Sequence, residues 1–196
     1  MLIDKCVILM KMICERDIMM SKGVNRDMPA EQTKQLCVLT REKLRNAKEQ
    51  LENFLNYNSV HELMEENSSD PDTEKYICEF LSDLRHLVVV CELGYEKISL
   101  VLRRATFSED FANKVLGEIV HSCVYGFYYP RNEVYEEDGR YSYTAQDAIR
   151  FREATPSSLQ QLVFSLSKIF EYLRDELEYY ETDYFTHIRL QTVQQK

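Results

Sequence analysis

Residues 73–104 read TEKYICEFLSDLRHLVVVCELGYEKISLVLRR, and their spacing decides the fold class. Ile77, Leu81, Leu84, Val88, Cys91, Tyr95, Ile98 and Val101 or Leu102 recur in alternating steps of four and three, which places them on one face of a helix. Phe80, Leu87, Gly94 and Val101 widen that row into a bundle face rather than a narrow coiled-coil seam. Leu87 to Cys91 is apolar all round, an expectation of burial on several sides at mid-helix. A helix of this length, at about 1.5 Å per residue, is a rod of roughly 45–50 Å. One stripe that long must be covered by other helices.

Those partners flank it in the chain. Asp27-Met28-Pro29 puts an acidic cap and a first-turn proline before a helix predicted from Pro29 to Asn56. Its stripe is Leu36, Thr40, Leu44, Ala47, Leu51 and Phe54. Ser59-Val60-His61-Glu62 is a capping box opening a short helix that turns Val60, Leu63 and Met64 inward and leaves His61 solvated beside the cap. The polar linker ENSSDPD (66–72) follows, with Asp70-Pro71 as the start of the long rod. Downstream, Thr106-Phe107-Ser108-Glu109 is a second capping-box pattern, and Phe111, Val115, Ile119, Cys123 and Phe127 mark a helix ending before Pro130. Val134-Tyr135, the turn Glu137-Asp138-Gly139-Arg140 and Tyr141-Ser142-Tyr143 read as a β-hairpin, with Ala148–Arg152 as an extended segment beside it. Thr155-Pro156 opens the last helix, whose stripe runs through Leu159, Leu162, Leu166, Ile169, Leu173, Leu177, Tyr180, Tyr184 and Ile188.

The expected fold is mainly α: an antiparallel bundle of four long helices plus one short helix, with a β-hairpin insertion before the last helix at about residues 130–154. The bundle domain is assigned to 27–190, with 191–196 as a tail and 1–26 as a poorly ordered or loosely attached extension. Met19-Met20-Ser21-Lys22-Gly23 reads as a natural protein start, so residues 1–18 are expected to be an upstream extension from a misplaced start codon.

Composition narrows the function classes. The 196 residues include only five glycines and four prolines, few breakers for so long a chain, which agrees with long helices. A net charge of −9 lacks the clustered cations that displace counterions from phosphates, so nucleic-acid binding is disfavoured. The longest apolar run near the start, CVILM between Lys5 and Lys11, is far short of the roughly twenty residues a bilayer requires. None of the six cysteines forms a C-x-x-C pair, so zinc-ribbon and thioredoxin-type chemistry lack their spacing. Cys78 and Cys91 lie in the long helical pattern, where cysteine acts as a small apolar residue. Reduced structural thiols in a cytoplasm are the expectation.

Two chemical sites are testable by rotational phase. Glu118-x-x-His121 and Asp83-x-x-His86 have the spacing of di-metal carboxylate bundles. At about 100° per residue, however, His121 lies roughly 160° from Ile119, and His86 falls two positions from both Leu84 and Val88. Both imidazoles are thus expected to face outward, and no metal, cofactor or catalytic residue is assigned. There is no G-x-S-x-G elbow, phosphate loop or H-E-x-x-H motif either.

The acid- and tyrosine-rich run RDELEYYETDYFTH (174–187) is mostly a solvated helix face. Asp175, Glu176 and Glu178 flank or oppose Leu177, whereas Glu181 lies about 40° from it and needs a partner. The expected partners are Arg150, Arg152 or Arg131, so that the hairpin folds back on the last helix through arginine–carboxylate and tyrosine hydrogen bonds. The candidate cluster is Arg131, Tyr143, Arg150, Arg152, Glu178, Tyr180, Glu181 and Tyr184. It is either a structural clasp alone or a clasp that also binds a partner.

The runs FLSDLRHLVVVCELGYE (80–96), Tyr143-Thr144 with Ile149–Arg152, and ELEYYETDY (176–184) resemble the YpuI-like family of uncharacterised bacillar proteins, over about Ala30 to Ile188. The resemblance implies a bacterial cytoplasmic protein. It carries no reaction, cofactor or catalytic residue to transfer, and nothing like residues 1–18. The leading expectation is a non-enzymatic helical module that binds another protein, or itself, through the Tyr/Arg-rich hairpin face, away from membranes. The alternative is an enzyme or small-ligand binder with a polar pocket between hairpin and last helix, using Glu181, Tyr180, Tyr184 and Arg150 or Arg152. A third reading, a nucleic-acid accessory using Arg131, Arg140, Arg150 and Arg152, runs against the charge balance.

Overall fold

The inward row of 73–104 is the spine of the molecule. The computed structural model describes residues 30–65, 71–137 and 149–194, the side chains of 179 and 181–194 excepted. Helix α1 spans Ala30–Tyr57, α2 Val60–Glu65 and α3 Pro71–Arg103. Then come α4 (Glu109–Ile119), a π-helical turn (Val120–Val124) and α5 (Tyr125–Tyr128), which run on as one rod. Strands β1 (Tyr135–Glu137) and β2 (Ile149–Phe151) precede α6 (Ser157–Gln194). The architecture is the expected one, a mainly helical antiparallel bundle with a small antiparallel hairpin before the last helix.

Helices α1 and α3 run side by side in opposite senses, with Lys48 reaching Glu92 at 3.1 Å and, nearer the start of α1, Thr33 reaching Glu109 at 3.5 Å just beyond the end of α3. Their approach is closest at Gly94, where a β-carbon would sit 3.1 Å from both Leu44 Cδ1 and Cys123 Sγ. Helix α6 lies against α1 and α4, joined by Ser165 Oγ to Gln50 Oε1 (2.7 Å) and by Tyr180 to Asn113 (3.1 Å). At the hairpin end, Phe127 and Phe170 stack with centroids 4.6 Å apart. The predicted stripes of α1, α3 and α6 form the core where described, with Leu36, Phe54, Val88, Tyr95 and Leu102 packed against its edge.

Three local expectations are corrected or refined. The Leu87–Cys91 run is not buried all round: Val89 is 60 % exposed and continues along the outer face to Leu93 and Leu100. No helix packs on that side of α3 among the described residues, so apolarity there reflects surface and not core. The second capping box belongs to Ser108 and not Thr106, since Ser108 has the extended backbone (φ −110°, ψ 112°) and accepts from Phe111 N–H. The first box forms as read, with Ser59 N–H donating to Glu62 Oε2 (2.7 Å) and Glu62 N–H to Ser59 Oγ (3.3 Å). Lastly, the strand seen to pair with β1 is β2, read from the sequence only as an extended segment beside the hairpin, in the register Tyr135↔Phe151, Glu136↔Arg150, Glu137↔Ile149. That register lays Phe151 against Phe80 and Phe164, an apolar anchor for the pair.

The Glu137–Arg140 turn beyond Glu137, Tyr141–Tyr143, the 66–70 linker, Asp27–Pro29 and the whole 1–26 extension lie outside the described residues.

The π-helical turn has a cause in the sequence. Phe111, Val115, Ile119, Cys123 and Phe127 repeat in steps of four only, and in an α-helix each such step drifts about 40°. Four steps would carry the row roughly 160° away from the core. One π turn takes back about one residue of rotation, and Val115, Ile119, Cys123 and Phe127 are all buried.

Candidate functional site

The hairpin is bolted to the bundle at its base. Pro130 ends the rod, and Asn132 turns back onto α3: its backbone N–H donates to Asp83 Oδ2 (3.0 Å) and its amide to Asp83 Oδ1 (2.8 Å) and the Glu79 carbonyl (3.3 Å). Burial pushes the Asp83 carboxyl up from the usual carboxylate range, and donation from Asn132 offsets part of that. Beside it, burial and then Arg131 push His86 down. Glu133 follows with φ of 51°, a left-handed backbone uncommon for a residue with a β-carbon. The Asn132 clamp is what holds it there. Tyr135 then buries its ring and donates to the Phe127 carbonyl (2.8 Å), while Tyr76 donates to the Val134 carbonyl (2.8 Å).

Two arginines complete the base, from opposite directions. Arg152 donates to Glu79 Oε2 (2.7 Å) and the Asn132 carbonyl (3.1 Å), with its guanidinium over the Tyr76 ring. Arg174 of α6 sits over the Tyr128 ring and donates to both oxygens of Glu137 at 2.9 Å. The hairpin is therefore tied to the last helix, but with the roles exchanged: α6 supplies the arginine and β1 the carboxylate. β2 presents Arg152 to α3, whereas Glu181, its expected partner on α6, lies outside the described side chains.

Between these ties lies an open groove of about 770 Å³. Tyr128, Tyr129 and Pro130 form one wall, and Arg150, Phe151 and Arg152 another, with Glu133 and Glu136 at the edge. Tyr129 is 73 % exposed. Arg150 reaches Glu136 at 3.9 Å across the hairpin's outer face. Burial pushes the pKa values of the Tyr128 and Tyr135 hydroxyls well up, so both keep their protons at neutral pH.

Of the residues chosen from sequence, the structure brings Arg150 and Arg152 together in this groove. Arg131 is exposed in the loop beside Asp83 and His86. Glu178 points to solvent. Tyr180 is buried and donates to Asn113 Oδ1 on α4. Tyr143, Glu181 and Tyr184 lie outside the described side chains. Absent from the predicted cluster were Glu79, Asp83, Asn132, Glu137 and Arg174, Asp83 having been weighed only as a metal ligand. For Asp83 a signal existed: it sits three after Phe80 and four before Leu87, an inward carboxylate that burial obliges to find donors.

The di-metal spacing does not assemble. Glu118 is taken by Lys97 at 2.8 Å and Asp83 by Asn132. Among the described residues no three His, Cys, Asp or Glu side chains are grouped to hold a metal ion, and no helix is long and apolar enough to cross a membrane. His86 and His121 are half-buried instead of facing open water, His121 edge-on to Tyr125 at 5.1 Å.

Residues 37–186, from α1 into α6, match the family described as "Protein of unknown function (DUF3907)". The chain belongs to the DUF3907 family. The "Uncharacterized protein YpuI" of Bacillus subtilis (strain 168) is 38 % identical over 128 residues, 65 % of this chain and 70 % of that protein. The resemblance read from 80–96 and 176–184 is thus upheld. No solved structure matches this chain.

A second cavity of this DUF3907 protein, about 350 Å³, opens over the π turn. Leu93, Gly94 and Lys97 of α3 face Glu118, His121 and Ser122 across it. Beneath Gly94 lies Cys123, whose thiol donates to the Val90 carbonyl at 3.2 Å. Cys37 and Cys91 are buried as well, whereas Cys78 is exposed and so does not serve as a core residue.

Proposed function

We propose that this DUF3907 protein is a cytoplasmic, non-enzymatic interaction module whose hairpin groove receives a segment of a partner protein. The observation that carries the reading is the open groove lined by tyrosine and arginine on a clamped base. Tyrosine and arginine are favoured interface anchors, combining large contact area with few frozen torsions or with a planar donor fork. A rigid base lowers the ordering cost of binding. Tyrosines whose acidity is suppressed by burial stay protonated and make poor proton shuttles at neutral pH.

The test is chemical cross-linking of the tagged full chain in cells, with quantitative mass spectrometry against Tyr129→Ala and Arg150→Glu variants of unchanged melting temperature. The reading requires one partner to fall about tenfold in both variants, as expected of anchor residues. An identical cross-linked set in all three proteins would refute it. The groove volume also lies in the range of small-ligand sites. Thermal-shift screening with metabolites, using the same variants, separates that second reading from the first.

A further inference from the structure

We propose that Cys91 and Cys123 form a peroxide-sensitive dithiol that closes to an intramolecular disulfide across the contact between α3 and the π turn. The two thiols lie 32 residues apart by number (123 minus 91), both are buried, and Cys123 Sγ packs against the turn of α3 that carries Cys91. Cys123 Sγ is held against α3 by its bond to the Val90 carbonyl at 3.2 Å. Gly94 permits this approach, since a β-carbon there would stand 3.1 Å from the same sulfur.

Buried thiols are ordinarily inert, and three features set this pair apart. The 350 Å³ cavity ends on Gly94, Ile119 and Ser122, one atomic layer above Cys123, and hydrogen peroxide is little larger than water. The cavity wall carries Lys97, whose charge favours a thiolate even though it also pairs with Glu118 at 2.8 Å. The wall over Cys123 is itself the π turn, a departure from regular α-helical bonding of the kind frequent at functional sites. In support, donation from Cys91, then from Ser122, with Lys97 nearby, draws the Cys123 thiol down despite its burial. Cys37, buried without such neighbours, is pushed up to about 12.

The chemistry balances with hydrogen peroxide as oxidant. The Cys123 sulfur attacks one peroxide oxygen, the O–O bond breaks, and the departing hydroxide takes up the Cys123 proton as water. The resulting sulfenic acid is attacked by the Cys91 sulfur; the S–O bond breaks and the second water leaves with the Cys91 proton. Two thiols are oxidised, and both peroxide oxygens are reduced.

The experiment uses the full chain with Cys78→Ser, which removes the exposed thiol among the described residues. It is exposed to graded hydrogen peroxide, then unfolded, alkylated and mapped by peptide mass spectrometry. The expected result is a cross-linked peptide joining Cys91 to Cys123, about 2 Da lighter than the two reduced peptides, reversed by dithiothreitol and formed at doses that leave Cys37 alkylatable. Full alkylation of Cys91 and Cys123 at those doses would overturn the proposal, as would a bond from either to a different cysteine. Linking no faster than global unfolding would overturn it too. Gly94→Ala should slow the linking several-fold by sealing the cavity floor. Lys97→Met, on the half-exposed cavity wall, tests the same route should Gly94→Ala fail to fold, and an unchanged rate in a folded variant counts against it.

Discussion

Asp83 is an ionisable group on an otherwise apolar row, and its position fixes the sign of a pH effect. Its acidity is weakened in the folded chain, chiefly by burial, so between the unfolded and folded pKa values the folded state holds more protons. Stability from this group is then greatest in acid and is lost as pH rises through that window. Asp83→Asn keeps an acceptor for the Asn132 backbone N–H and removes the charge. The stability advantage of the variant over wild type, from urea melts between about pH 3.5 and 5.5, should therefore grow with pH; a flat or shrinking difference would contradict the assignment. A simpler case is Thr40 on α1 and Ser99 on α3, which bury hydroxyls with no hydrogen-bond partner in the described structure. Leaving such a group unsatisfied costs about 1–3 kcal/mol. Thr40→Val, nearly the same shape, should stabilise the fold by about 1 kcal/mol in denaturant titration, and a loss of stability would show that the hydroxyl is satisfied after all.

At the scale of the element, the π turn joins two helical segments whose core-facing rows are out of step for a continuous α-helix. Its extra residue is a phase corrector, so removing it should restore regular α-geometry without rotating either flank. Deleting the exposed Ser122 is expected to leave a folded protein with stability within about 2 kcal/mol of wild type by urea denaturation. Deleting the equally exposed Lys114, in regular α-helix, would turn everything beyond it by about 100° and should abolish the cooperative transition. Equal damage from both deletions would refute the phase argument. This turn also shows what the sequence makes legible and what it hides. The inward rows of α1, α3 and α6 could be read because apolar side chains at 3.6-residue spacing leave one plausible face. Val89 was misread at that level, since apolarity says that a residue tolerates burial, not that a neighbour exists to bury it. The register of Tyr135 against Phe151 was hidden for a related reason: a pair of three-residue strands is registered by where Phe151 finds Phe80 and Phe164, and such contacts are remote in sequence.

For the whole molecule, the hairpin acts as a bracket across α3, the rod and α6, adding to the Phe127–Phe170 stack at that end. Asn132 and Arg152 fasten it to α3, Tyr135 to the rod, and Arg174 to α6. Sequence reasoning found that such a bracket exists because the acids and arginines must pair, but charge alone does not say which strand carries which sign. The bond between Arg174 and Glu137 is about a third exposed, so solvent screens it, and it should contribute only about 1 kcal/mol. A double-mutant cycle of Arg174→Met and Glu137→Gln measures that coupling, and a value near zero would make the contact incidental. The more telling consequence is local. With the bundle core intact, losing this bond should raise amide hydrogen exchange in residues 130–137 and 149–152 by roughly tenfold, the equivalent of about 1.4 kcal/mol at most, while the inner positions of α3 exchange as before. Were α3 to loosen to the same degree, the hairpin would be part of one cooperative unit with the core, and the groove could not be tuned without cost to the fold.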